Sequence, residues 1–108
     1  MTPEAESAAI DRAVQGDERA LAELFSHYHS RLQRIAALRL HPKLRPRVDA
    51  DDIMQEAYLN AAQRLGRILH DSPQSFFIWL RMILSQTMTD VHRRHLGAQM
   101  RDASREAV

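Results

Sequence analysis

The stretch Asp17–Leu40, DERALAELFSHYHSRLQRIAALRL, decides the fold. Leu21, Leu24, Phe25, Tyr28, Leu32 and Ile35 recur in it at steps of three and four residues, so their side chains form one stripe along a helix. Asp17 can accept bonds from the free amides at its start, and Pro42 and Pro46 stop it just beyond Leu40. Upstream, a short helix over about 4–14 sets Ile10 and Val14 one turn apart and ends at Gly16, a residue common just past a helix. Downstream, Asp49 or Asp51 caps a third helix whose Ile53, Met54, Ala57, Ala61 and Leu65 mark one buried face, and Gly66 closes it. Ser72 followed by Pro73 signals a fourth start. From there Phe76, Phe77, Leu80, Ile83, Leu84, Thr87, Met88 and Val91 carry a stripe to about His95. After Leu96 the chain turns polar, and GAQMRDASREAV reads as a frayed helix or the opening of a linker.

These readings predict an all-α protein, a small antiparallel bundle of three to four helices with short connections. Residues 1–16 form the short N-terminal helix, 17–96 the helical domain and 97–108 the polar tail. A chain of 108 residues allows one small domain. No segment alternates with a β period, and no repeat or low-complexity tract occurs. The chain has no cysteine, which removes disulfides, thiolate metal sites and thiol nucleophiles. With no signal peptide and no long apolar run, the expectation is a soluble, cytoplasmic protein without a membrane partner.

The formal charge is only +1, but its distribution is uneven. No acidic residue occurs from Leu24 to Val48, a window that holds Arg31, Arg34, Arg39, Lys43, Arg45 and Arg47 with three histidines. Asp49, Asp51, Asp52 and Glu56 follow at once. Fourteen of the fifteen cationic residues are arginine, whose planar fork suits phosphate and carboxylate.

Catalysis is not expected. Asp51, Asp52 and Glu56 could be taken as magnesium ligands one turn apart, and the Asp-Asp-x-x-x-Glu spelling is that of prenyl-transferase boxes. Those enzymes need a second acidic box and a large cavity, and helix capping explains the same carboxylates more simply. His92 and His95 lack a third ligand, and Arg93 and Arg94 between them repel a divalent cation, so this end reads as a solvated basic terminus. There is no glycine-rich nucleophile elbow, phosphate loop or dinucleotide fingerprint. Neither an enzyme nor a metal or other cofactor is expected.

Binding remains. Asp52, Gln55, Glu56, Leu59 and Gln63 share a second, outward stripe of the third helix, in which an apolar residue amid carboxylates and amides suits a partner bearing arginines. The fourth helix opens with Phe76, Phe77 and Trp79 and continues with Arg81, Gln86, Arg93 and Arg94. Aromatics beside cations resemble single-strand nucleic-acid sites, although most rings at helical spacing belong to a core, with one or two reachable.

Two stretches carry a family resemblance. Asp49-Ala-Asp-Asp52-Ile-Met-Gln55-Glu56-Ala-Tyr58-Leu59 resembles the core-polymerase-binding helix in region 2 of sigma-70 type RNA polymerase sigma factors, in particular the extracytoplasmic-function (ECF) group. Phe77-Ile-Trp79-Leu80-Arg-Met-Ile83 through Asp90 and Arg93 resembles that region's promoter-melting helix, and the ending is similar to planctomycete-type members. The resemblance implies that Asp52, Gln55, Glu56, Leu59 and Gln63 face the β′ clamp helices of core RNA polymerase. It implies further that the 67–75 loop and the start of the fourth helix receive the non-template strand of the minus-ten promoter element, with one base extruded into a pocket. Asp71, Ser72, Gln74 and Ser75 would then make polar contacts, Phe76, Trp79 and Gln86 would line the strand, and Arg67, Arg81, Arg93 and Arg94 would hold phosphates. An anti-sigma factor is a further implied partner. Gln86, Ser85 and Leu84 depart from commoner residues, so promoter preference does not transfer. The helix-turn-helix that reads the minus-thirty-five element is not among these 108 residues; the expectation is a longer protein trimmed to region 2, with a protein that keeps only the polymerase-facing half as the alternative. The alternative is a helical protein–protein interaction module without DNA binding, its basic block only solubilising.

Overall fold

The computed structural model describes residues 1–65 and 73–106, with side chains for 1–65 and 75–97. Four α-helices occur among them: α1 (Pro3–Val14), α2 (Glu18–Arg39), α3 (Ala50–Gln63) and α4 (Pro73–Glu106), with a 3₁₀ turn at Pro42–Leu44. The bundle of the sequence expectation is present.

Local chemistry sets the boundaries. Thr2 caps α1, its Oγ accepting from the Ala5 amide at 3.1 Å. At the other end Gly16 adopts φ 98°, which a side chain would oppose. The Gly16 and Asp17 amides turn back to the carbonyls of Ala13 and Arg12 at 2.9 and 3.0 Å, a Schellman closure. Asp17 then caps α2 through the amides of Arg19 and Ala20. Of the two candidate caps for α3, Asp49 is the one used. Its carboxylate accepts from the Asp52 amide at 2.8 Å while the Asp52 carboxylate reaches back to the Asp49 amide, a reciprocal box. Gly66 and Ser72, expected to end α3 and start α4, lie outside the described residues.

The helices run up, down, up and down. Glu6 meets Tyr28 and Arg12 meets Glu23 between α1 and α2, while Gln33 meets Asp51 and Phe25 meets Tyr58 between α2 and α3. Glu56 meets Arg94, Asn60 meets Thr87 and Arg64 meets Gln86 between α3 and α4. Since α2 and α4 both oppose α3, they lie parallel to each other.

One core joins all four helices, with Ile10, Leu21, Leu24, Leu32, Ile53, Phe76, Leu80, Ile83 and Leu84 fully buried. Burial of this apolar surface is the main favourable term. Among the described residues Thr87 is the buried polar exception. It donates to the Ile83 carbonyl and accepts from Asn60 Nδ2, both at 2.8 Å, so its hydroxyl carries no unpaired cost and ties α3 to α4.

One expectation needs correction: the stripe of α2 is completed by Ala36, with Ile35 only half-buried. Of the two readings of the polar tail, helix is the one present, since α4 continues beyond His95 through Glu106, 34 residues or about 51 Å. Burial is not required for a helix to propagate. Each added residue gains a backbone bond, and Ala98, Gln99, Met100 and Arg101 are good helix formers that offset Gly97, which costs about 1 kcal/mol.

Candidate functional site

Residues 52, 55, 56, 59 and 63 recur on α3 at three- and four-residue steps on the side opposite Ile53, Ala57 and Ala61. Since the latter are buried against α2 and α4, the former are forced outward. Asp52, Gln55, Leu59 and Gln63 are exposed, Leu59 at 56%, and Glu56 is half-buried. Beside this ridge a shallow cleft of about 500 Å³ opens between α2 and α3, lined by Phe25, His29, Asp51, Met54, Gln55 and Tyr58. The three carboxylates once considered as metal ligands are employed separately. Asp52 closes the capping box, Asp51 accepts from Gln33 Nε2 at 2.9 Å, and Glu56 accepts from Arg94 at 2.8 and 2.9 Å. Among the described residues no group of three or more acidic or histidine side chains is placed to hold a metal ion.

The other face is the seam between α2 and α4. Arg31 lays its guanidinium 4.1 Å above the Phe77 ring, and Tyr28 packs against the same ring at 5.0 Å. Glu6, His27, Tyr28, Arg31, Phe77 and Arg81 contribute to a cleft of about 390 Å³ at one end of the seam. Further along, Arg39 donates to Ser85 Oγ at 3.3 Å, and the His41 amide donates to His92 Nε2 at 3.2 Å. His92 therefore fastens α4 to the turn after α2, contrary to the expectation of a solvated terminus.

The Tyr28 hydroxyl donates to the Glu6 carboxylate, which also faces His27 at 3.8 Å. Burial, then the bond to Glu6 and its negative charge, push the Tyr28 pKa far above the usual tyrosine value, against a smaller opposing effect of Arg31. A folded-state pKa raised above the unfolded one gives stability that is complete below about pH 10 and lost as pH rises beyond it. Thermal melts of the parent should therefore fall above that pH by as much as about 1.4 kcal/mol per pH unit more steeply than those of Tyr28→Phe. Parallel declines would show that this bond does not govern the alkaline limb.

Residues 24–96 match the family model described as Sigma-70 region 2. The chain belongs to the sigma-70 region 2 family. This region 2 chain is also 36% identical over 81 residues to the ECF RNA polymerase sigma factor SigM from two strains of Mycobacterium tuberculosis. The alignment covers 75% of this chain and 38% of each relative, so region 2 here spans well under half the length of the curated relatives it matches. No solved structure matches it significantly.

Within this region 2 chain, the residues singled out on α4 separate by burial. Phe76 is fully buried and Trp79 is 7% exposed, the two rings packing at 5.7 Å inside the core. Neither presents an open ring face at the surface, which sets both apart from the exposed members of the expected nucleic-acid set. Phe77 is the ring within reach, half-buried beneath Arg31. Arg81, Gln86, Arg93 and Arg94 are exposed and Ser75 is half-buried. Gln86 accepts from Arg64 at 2.6 Å and Arg94 is held by Glu56, so these two project toward α3. Arg67, Asp71 and Ser72, and the side chain of Gln74, lie outside the described residues. Arg31 and Arg39, outside the set of site residues expected from the sequence, belong to the acid-free window of α2 and border the seam with α4.

Proposed function

We propose that this chain is the polymerase-facing and promoter-facing part of an ECF-type transcription initiation factor. The ridge Asp52, Gln55, Glu56, Leu59 and Gln63 docks on the β′ clamp helices of core RNA polymerase. Residues 67–75 and the first turns of α4 take up the non-template strand of the minus-ten element. The chain acts in the cytoplasm, and catalysis resides in the polymerase. An anti-sigma factor is a further partner of the whole protein.

The observation that carries this reading is the exposure of the ridge. Four of its five residues are solvent-facing, and an exposed leucine framed by carboxylates and amides has the composition of a contact centre with a polar rim. Glu56 engages Arg94 in a pair exposed enough to be worth only about 0.2–1 kcal/mol, so a partner arginine can take its place. The test is retention of the chain on immobilised β′ clamp helices. Retention that weakens with added salt is expected; no retention overturns the proposal.

A further inference from the structure

We propose that the end of α2 and the turn that follows it form a docking surface for an acidic amphipathic helix of another protein, centred on Leu38 and rimmed by Arg34, Lys43, Arg45 and Arg47. The inference goes beyond the function proposed above and uses a face that neither the α3 ridge nor the α2–α4 seam includes.

The apolar centre is the first support. Leu38 is 76% exposed, the most exposed large apolar side chain among the described residues. Gln33 reaches α3 and Arg39 reaches α4, while Leu38, between them on the helix, is left to solvent. Beside it opens a cleft of about 420 Å³, lined by Ala37, Leu40, Val48 and Ala50 together with Arg45 and Asp49. Leu40 and Val48 are buried and form its floor. A protruding leucine next to an apolar recess leaves surface in water that one partner side chain and its neighbours would cover, a gain of the ordinary hydrophobic kind.

Charge selects the partner. Arg34 stands one turn before Leu38 on the same side of α2, and Lys43, Arg45 and Arg47 come from the connection to α3. All four are exposed, and among the described residues none of them forms an ion pair. The two carboxylates at the border are engaged, Asp49 by the Asp52 amide and Asp51 by the Gln33 side chain. The rim is therefore cationic and without counter-charge. An apolar centre inside a polar rim is the layout of a protein–protein contact, and carboxylates on the partner supply the charges that this rim lacks.

Other occupants fit less well. Single-stranded nucleic acid is held on rings where bases stack, and no aromatic side chain lines this cleft. A membrane surface is bound by a helix whose whole apolar face is open, whereas the apolar stripe of α2 is enclosed in the core. The clamp helices proposed for the α3 ridge present cations, which this rim repels.

The experiment is fluorescence anisotropy with a labelled synthetic amphipathic peptide, leucine on one face and glutamate on the other, beside a counterpart with lysine in place of glutamate. The parent should bind the glutamate peptide with an affinity that falls as salt is added, and should not bind the lysine peptide. Leu38→Gln and Arg45→Glu should each weaken binding about tenfold or more. Arg19→Glu, the same change of charge at the far end of α2, should keep the parental affinity, and melting curves establish that each variant is folded. Retention on the clamp helices should be parental in Leu38→Gln, which separates a failure of this surface from a failure of the ridge. No binding by the parent, equal binding of the two peptides, or equal affinity in Leu38→Gln and parent overturns the docking surface. So does tighter binding of oligothymidylate or of anionic phospholipid vesicles that is lost in the same variants. Loss of clamp-helix retention in Leu38→Gln overturns it as well, because this face would then be part of the ridge.

Discussion

Phe76→Ala should destabilise the domain by about 3–5 kcal/mol, a large part of the 5–15 kcal/mol typical of a folded domain. The ring is fully buried near the start of α4, packed on Trp79 inside the core shared by all four helices. Truncation removes its transfer free energy and leaves a cavity that the surrounding helices only partly fill. Each kcal/mol lowers the melting midpoint of a domain this size by roughly 4–8 °C, so the transition should fall by well over 10 °C. Phe76→Leu, which keeps most of the volume, should recover much of the loss. Had the ring been a base-stacking platform, alanine would weaken nucleic-acid binding at unchanged stability. Melting curves distinguish the two outcomes, and an unchanged midpoint in Phe76→Ala would remove the ring from the core.

The second large effect is expected at Leu59. Leu59→Arg should lower affinity for the β′ clamp helices at least tenfold, about 1.4 kcal/mol or more, because it places a cation where the proposed partner presents cations. Its side chain is 56% exposed on α3, so stability should stay within about 0.5 kcal/mol of the parent. That separation makes Leu59 a better probe than Asp52, whose carboxylate also closes the capping box of α3. Removing Asp52 would mix a binding loss with a capping loss. Titration by fluorescence anisotropy, alongside thermal melts, provides both readouts, and equal affinities for Leu59→Arg and parent would reject the ridge as the docking surface.

Much of the fold was legible because its signals are local. The stripe Leu21–Leu32, the Asp17 cap, the Gly16 closure and the two prolines after α2 each act within a turn or two of chain. The continuation of α4 beyond His95 was legible only as one of two alternatives, because a polar tail carries no apolar stripe, whereas backbone bonding and favourable residues suffice to propagate a helix. At the site, the outward ridge of α3 was legible for the same reason as its core face: at 100° per residue one determines the other. The aromatics of α4 were not. Phe76, Phe77 and Trp79 have similar chemistry and adjacent positions, and only the packing of neighbouring helices decides which ring is enclosed.

The amino-acid sequence alone determined that this chain forms amphipathic helices in a set order, where most of them begin and end, and which side of each is apolar. Tertiary structure decided which polar groups meet: that Arg94 is spent on Glu56, that Asp52 serves a cap as well as a surface, and that Arg31 and Arg81 line one cleft while Arg39 meets Ser85 in another. The physical reason is range. Helix periodicity and capping act over a few residues, while polar pairing and exposure depend on groups as many as 51 positions apart in the chain, brought together only when the helices pack.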